Sequence, residues 1–196
     1  MGFAVLLVAA GLAMGPIVPG RIPPDERESP AMQTARTIEL AMFQYAQDHN
    51  GRYPTGRSST EVFQKLVDGN YLNDPNILWL KMLGKVKASS NHLGPENISF
   101  DVTAGMTVQS PDMVPGVFAT GYRIDYKPGG SAVPIKGVSR PDVCKDGLPI
   151  AYHSNNAFYK NTRDPAGVVT NIISANAQLG TNVYTQLTPT GPLASP

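Results

Sequence analysis

The stretch that decides the fold contains the predicted end of a helix and the first residues of the segment after it: Gln44-Tyr45-Ala46-Gln47-Asp48-His49-Asn50-Gly51-Arg52-Tyr53-Pro54. Asn50-Gly51 predicts the end of that helix, because glycine readily adopts the left-handed conformation that follows a last turn. Ser29-Pro30 predicts its start, since serine caps a helix and proline suits the first helical position. Between these limits the apolar residues recur in steps of three and four and form one helical face: Ala31, Met32, Ala35, Ile38, Met42 and Tyr45.

The same helix carries apolar side chains on a second side. Leu40 and Phe43 are three residues apart on the flank away from the first face, and residues at this spacing are neighbours on a helix surface. Two interpretations stay open: both sides are buried within one domain, or this flank contacts a neighbouring subunit. Leu40 and Phe43 are therefore the candidate subunit-contact residues.

An uncharged apolar run of 19 residues, 2–20, precedes the helix, and Arg21 is the first charged residue. A helix needs about 20 apolar residues to span a bilayer core. Three interpretations stay open: a membrane-spanning or filament-core helix, a signal peptide cleaved near Ala13-Met14-Gly15, or a buried core helix. In the first case, the membrane and assembly contacts fall on Phe3, Val5, Leu6, Leu7, Leu12 and Ile17.

The rest of the chain combines a short helix with strands. Ser58-Ser59-Thr60-Glu61 is a capping-box pattern that predicts a second helix, which ends at Gly69. Residues 77–83 are compatible with a strand or a short helix. After residue 95 the apolar period becomes two, which predicts half-buried strands. These strands are 98–103, 122–126, the hairpin 149–153 with 157–161, and 167–173, and residues 177–196 are expected to form surface loop.

These elements predict an α+β protein in three parts. Residues 1–22 are the apolar N-terminal membrane or filament segment, 23–50 the connector and amphipathic helix, and 51–196 a globular α+β head. A formal net charge of +1 with no basic cluster argues against nucleic-acid binding. The single cysteine, Cys144, excludes an internal disulfide and a zinc site built from cysteines.

No catalytic constellation stands out, so no enzymatic activity and no cofactor are predicted. His49, His92 and His153 are far apart and lack a metal-ligand spacing, and Ser154 beside His153 does not make a triad. Pro128-Gly129-Gly130-Ser131 lacks the lysine of a phosphate loop and is interpreted as a turn. A calcium ion is the one open alternative, in a loop that contains Asp142, Asp146 and Gly147.

The run Thr37–Thr55, followed by the short helix of residues 60–72, resembles the pseudopilins of type II secretion systems and their relatives in the type IV pilin superfamily. The shared pattern is a helix that exits through tyrosine, aspartate, Asn-Gly and Tyr-Pro into the head. The resemblance implies a pilin-like fold, in which a long N-terminal helix packs on a small antiparallel sheet. Gly2-Phe3 would match the family's processing junction, and Leu7 stands where the family has a glutamate.

The resemblance also implies a function. It predicts a non-enzymatic structural subunit with a single-pass helix in the inner membrane and its head in the periplasm or on a filament. Its partners would be other pilin-like subunits or further copies of itself, and the inner membrane. The alternative is an exported periplasmic or extracellular binding protein or hydrolase whose apolar run is a cleaved signal. A third alternative is a relative that keeps the fold without assembling.

Overall fold

The computed structural model describes residues 29–145, 147–162 and 164–193. Within these ranges, α1 spans Pro30–Asp48 and α2 spans Ser59–Asp68. The strands are β1 Phe100–Ala104, β2 Pro115–Ala119, β3 Tyr122–Ile124, β4 Ala132–Pro134, β5 Gly147–Tyr152, β6 Ala157–Asn161, β7 Thr185–Thr188 and β8 Gly191–Pro192.

Both ends of α1 lie where the sequence predicts them. The hydroxyl of Ser29 accepts a hydrogen bond from the amide of Met32 at 3.2 Å. At the other end, Asn50 and Gly51 both adopt left-handed backbone angles, with φ of 55° and 76°. The amide of Gly51 then donates to the carbonyl of Ala46 at 2.8 Å. These bonds satisfy backbone groups that a helix end leaves without an intrahelical partner.

The start of α2 is also confirmed, although its capping differs in detail. The amide of Glu61 donates to the hydroxyl of Ser58 at 3.2 Å, as a serine cap requires. The carboxylate of Glu61 reaches one residue further back than a capping box predicts and accepts the amide of Arg57 at 2.9 Å. It also forms an ion pair with the Arg57 guanidinium at 2.8 Å.

The expectation of a pilin-like fold with a long N-terminal helix on a small sheet is wrong for the described residues. Their two α-helices have 19 and 10 residues, and the main sheet has six strands. The physical reason lies at the start of α1. Ser29 has an extended backbone (φ −74°, ψ 152°) and Pro30 follows it, so α1 begins here and does not continue a helix from upstream.

The expected single-pass position in the inner membrane is contradicted as well. In the described part of the chain, no helix combines the length and the apolar character needed to cross a membrane. The reason in α1 is its polar outer surface, where Gln33, Arg36, Thr37, Gln44 and Gln47 alternate with the buried positions. The apolar run of residues 2–20, with all six membrane and assembly candidates, lies outside the described residues.

The six-stranded sheet is antiparallel throughout, in the order β6-β5-β2-β1-β7-β8. The predicted hairpin of β5 and β6 is confirmed, with Gly147 opposite Asn161 and Ala151 opposite Ala157. The strand predicted at 167–173 is wrong, because only Val169 forms a bridge there, to Ala132. The prediction of loop at the C-terminal end is wrong where β7 and β8 complete the sheet.

The sheet is the middle layer of the fold. α1 packs on β5, β2 and β6, and α2 packs on β1 and β7. On the opposite face, a separate two-stranded sheet joins β3 to β4, and the hydroxyl of Tyr152 donates to the carbonyl of Ile172. Because the sheet is covered on both faces, every residue of β2 and β5 is buried.

Strands β6 and β8 are the two edges of the sheet, and the described chain places no further strand beyond β6. Phe158 on this strand is 45% exposed. The ammonium of Lys160 lies 5.2 Å from the centre of its ring, a cation–π distance. The segment 77–83, left open by the sequence, contains the end of a 3-10 turn, Pro75–Leu78, and then an irregular loop.

Candidate functional site

The outer flank of α1, defined here as Leu40 and Phe43, keeps the position that the sequence predicts. The opposite face of α1 is buried against the sheet, including Ala35, Ile38 and Met42. Leu40 is nevertheless 42% exposed, and Phe43 is only partly buried at the margin of the core. The structure therefore leaves an apolar position of α1 on the surface, where a second protein surface can reach it.

The buried face of α1 contains a carboxyl group that the sequence reading missed. Glu39 is 1% exposed, and its Oε1 accepts a hydrogen bond from the Tyr53 hydroxyl at 3.0 Å. Its Oε2 has no hydrogen-bond partner in the described part of the chain. A signal was present, because Glu39 is four residues from Ala35 and three from Met42, and so lies on the buried stripe.

Glycine in β2 makes room for this carboxyl. The pairing of β2 with β5 shifts register between Pro115 and Val117, as a β-bulge does. A Cβ atom on Gly116, between them, would lie 2.1 Å from Oε2 of Glu39. Burial raises the pKa of Glu39 to about 8, against a smaller opposite effect of the Tyr53 hydrogen bond. At neutral pH the group is therefore a neutral carboxylic acid.

His153 lies next to Tyr53, the hydrogen-bond partner of Glu39. Its ring centre is 5.7 Å from that of Tyr53, and it is 8% exposed. Burial lowers the pKa of His153, while the negative charge of Asp112 acts in the opposite direction. Glu39, Tyr53 and His153 thus form a buried polar cluster between α1 and the sheet, in which charge is disfavoured on both the acid and the base.

A second buried carboxyl lies on the opposite face of the sheet. The side-chain amide of Gln186 donates to Asp101 Oδ2 at 2.7 Å and to the carbonyl of Tyr122 at 2.7 Å. Its oxygen accepts the amide of Ile124 at 3.0 Å. Gln186 therefore pairs with the edge of β3 as a neighbouring strand would, and connects the two-stranded sheet to the main sheet.

A half-open cleft of about 770 Å³ lies beside this connection. Its walls are the turn after β3 and the segment before β7, and the rings of Tyr126 and Tyr184 are 6.1 Å apart within it. Arg123 and Lys127 line the cleft. Lys127 is 2.8 Å from the carboxylate of Asp125, which leaves Arg123 as the better placed cation for an incoming anion.

The three histidines are not brought together. His49 stacks on Tyr45 with ring centres 3.7 Å apart, and its Nδ1 is 2.7 Å from the carbonyl of Tyr45. His92 is exposed in a loop, and His153 is buried beside Tyr53. Ser154 follows His153 in a turn, where its amide donates to the carbonyl of Asp112 at 3.3 Å.

The calcium alternative gains no support from the residues described. Asp142 is exposed and its Oδ1 is 3.5 Å from the ammonium of Lys145. Gly147 begins β5, and Asp146 lies outside the described residues. Within the described ranges, no three side chains of the types that bind metals are grouped as a site. The thiol of Cys144 is buried, and burial raises its pKa to about 12.

Three comparisons with known proteins are consistent with one another. No protein-family model, no curated protein and no solved structure matches this chain. The functional assignment therefore depends on the surfaces and buried groups described above.

Proposed function

We propose that this chain is a non-enzymatic structural subunit that associates with further copies of itself through the outer flank of α1. The observation that carries the proposal is an apolar pair, the 42% exposed Leu40 and the partly buried Phe43, on the outer flank of a helix whose other face is buried in the core. Leu40 and Phe43 are three residues apart and point to the same side of the helix. Burying them in a contact removes apolar surface from water, which favours association.

The sequence resemblance supports the same proposal. The run Thr37–Thr55, which includes this flank, is the part of the chain that resembles the pseudopilins. Proteins of that family act through subunit association, so subunits of that kind are a second class of partner. The proposal requires no helix across a membrane, because the contact lies on the described, folded part of α1.

Thiol cross-linking tests the proposal directly. Leu40→Cys places one reactive thiol on the flank, since the native Cys144 is buried and its raised pKa, about 12, keeps it unreactive. We expect a short bis-maleimide to convert this variant into covalent dimers. Val133→Cys is the matched control, because Val133 on β4 is 45% exposed and lies away from α1.

Light scattering after size exclusion gives an independent measurement. We expect the unmodified full chain to show a mass that rises with concentration, and Leu40→Asp to shift that rise to at least tenfold higher concentration. The proposal is wrong if the full chain stays monomeric throughout and Leu40→Cys cross-links no better than Val133→Cys.

A second candidate function, ligand binding, is favoured by the cleft beside Gln186. Its volume of about 770 Å³ is within the usual range of ligand sites, roughly 300–1,000 Å³. Two tyrosine rings and the guanidinium of Arg123 suit an aromatic ligand with an anionic group. Ligand-observed NMR with aromatic carboxylates tests this. Binding that Arg123→Gln abolishes and Lys127→Gln retains would support it, and no binding to the unmodified chain would refute it.

A further inference from the structure

A surface loop, residues 79–87, presents two apolar side chains to solvent between lysines. Its sequence is Trp79-Leu80-Lys81-Met82-Leu83-Gly84-Lys85-Val86-Lys87. Leu83 is 85% exposed and Val86 is 56% exposed. Single exposed apolar residues are ordinary on protein surfaces. Here two lie in one loop, one of them at the tip and almost fully exposed, and the described part of the chain does not cover them.

Hydrogen bonds hold this loop in an outward-pointing conformation. The amide of Lys85 donates to the carbonyl of Met82 at 3.3 Å and closes a turn around Leu83 and Gly84. At the base, the amide of Val86 donates to the carbonyl of Glu96 at 2.9 Å. The ammonium of Lys85 donates to the carbonyl of Pro95 at 2.6 Å. Leu83 is therefore presented to solvent by a braced turn.

The charges around the tip are mainly positive. Lys81 and Lys87 are exposed, and the ammonium of Lys87 lies 5.3 Å from the centre of the Trp79 ring. The nearby acidic groups are Asp101 and Glu96, whose charges act on Lys85, and Asp142, which pairs with Lys145. No carboxylate of the described chain lies within ion-pair distance of Lys81 or Lys87.

We propose that this loop is a peripheral docking site for an anionic lipid surface. Leu83 and Val86 would enter the boundary between headgroups and acyl chains, with Lys81 and Lys87 against the anionic headgroups. Trp79 is half-buried at the base of the loop, with its indole nitrogen enclosed, so its ring would lie beside this contact and not enter the membrane. Apolar residues next to lysines are the composition of interfacial elements. The apolar contact and the contact between charges have no fixed direction. A fluid bilayer can therefore make both, and no shaped groove on a partner protein is needed.

This contact is independent of the outer flank of α1. It involves a surface loop and no helix that crosses the bilayer. Each lysine near an anionic membrane contributes a roughly fivefold gain in binding. Two lysines therefore make docking dependent on both anionic lipid and low salt.

The tryptophan of the loop provides a local test. Trp79 is the only tryptophan in the chain, so its emission reports this loop even if another segment of the full chain binds lipid. We expect phosphatidylcholine–phosphatidylserine vesicles to shift the emission to the blue, and brominated acyl chains to quench it. Pure phosphatidylcholine vesicles should have a much smaller effect. Lys81→Gln should weaken the response roughly fivefold.

Leu83→Ser is the decisive variant, because a residue 85% exposed contributes little to the core. Its unfolding temperature should equal that of the parent, and its emission shift on anionic vesicles should be lost. Val133→Ser, at another surface position 45% exposed, should keep the full response. The proposal is overturned if anionic vesicles leave the emission unchanged, if neutral vesicles shift it equally, or if Leu83→Ser retains the shift. An acidic protein that binds this loop while lipid has no effect would overturn it too.

Discussion

Two fully buried carboxyl groups lie on opposite faces of the central sheet, and their surroundings differ. Glu39, on the α1 side, accepts one hydrogen bond, from Tyr53. Asp101, on the other side, is buried too, but Gln186 and Thr120 donate to it and the charge of Lys85 acts on it. Burial raises the pKa of Glu39 to about 8 and that of Asp101 to about 7.

Burial is the largest cause of the raised pKa of both groups, and most of the difference between the two values is already present in their ordinary values, 4.5 for Glu39 and 3.8 for Asp101. At neutral pH, Glu39 keeps its proton, whereas Asp101 is close to the midpoint of its titration. Burial alone would keep both neutral, and each hydrogen bond to the charged form recovers part of the lost solvation. At pH 7 the α1 side therefore contains a neutral acid and the opposite side a partly charged one, chiefly because an aspartic acid is the stronger acid before burial.

The largest expected effect is the loss of pH dependence in Glu39→Gln. Between the unfolded pKa of 4.5 and the folded pKa of about 8, the unfolded chain has released a proton that the folded chain retains. Glu39 should therefore make the free energy of unfolding of the parent fall as pH rises through this window, and this component amounts to about 5 kcal/mol. Glu39→Gln should lack this component, as urea unfolding followed by circular dichroism at pH 5, 7 and 9 would show.

Asp101→Asn is the control that separates the two carboxyls. It should remove the part of the pH dependence that lies between 3.8 and about 7 and leave the part above pH 7 in place. A Glu39→Gln variant that still loses stability between pH 7 and 9 to the same extent as the parent would contradict the assignment of a raised pKa to Glu39.

A smaller effect is expected from Gln186→Ala. This change removes three hydrogen bonds, to Asp101, Tyr122 and Ile124. Since each is worth about 1 kcal/mol, the free energy of unfolding should fall by about 3 kcal/mol. Hydrogen exchange should show faster opening of β3 and β4, which lose their link to the main sheet. Gln178→Ala, an exposed glutamine at the same cleft, should leave both quantities unchanged.

The smallest effect is expected from Tyr53→Phe. It removes the one hydrogen bond to Glu39, at a cost of about 1 kcal/mol. Because that bond lowers the pKa of Glu39, its loss should raise this pKa further. The fall in the free energy of unfolding should then extend to higher pH than in the parent. Tyr45→Phe, on α1, serves as the matched control. If the fall in the free energy of unfolding ended at lower pH in Tyr53→Phe than in the parent, Tyr53 would not stabilise the charged form of Glu39.

Local signals account for what the sequence predicted correctly. Ser29-Pro30 and Asn50-Gly51 fix both ends of α1 through bonds within a few residues. The hairpin of β5 and β6 follows from alternating side chains around a turn. Leu40 and Phe43 keep their place on the outer flank, because their position depends only on helical period.

The rest depends on partners far apart in sequence. β7 lies in a stretch rich in threonine and proline, and it is a strand because it pairs with β1, with Leu187 opposite Val102. Gln186 reaches Asp101 across 85 residues. Glu39 is buried because Gly116 leaves space for it. The pilin-like architecture was wrong for a related reason, since forty residues of local likeness do not specify how a sheet is assembled.

The β6 edge of the main sheet has a consequence for aggregation. Among the described residues no strand pairs with the outer side of β6, so a strand of another molecule could pair there, and the exposed Phe158 adds apolar surface to that edge. Lys160 covers the exposed ring with a charge, and a second copy approaching edge to edge would have to desolvate that ammonium. The charge of Lys160 thereby disfavours edge-to-edge pairing of two copies, the contact from which amyloid-like stacking would grow.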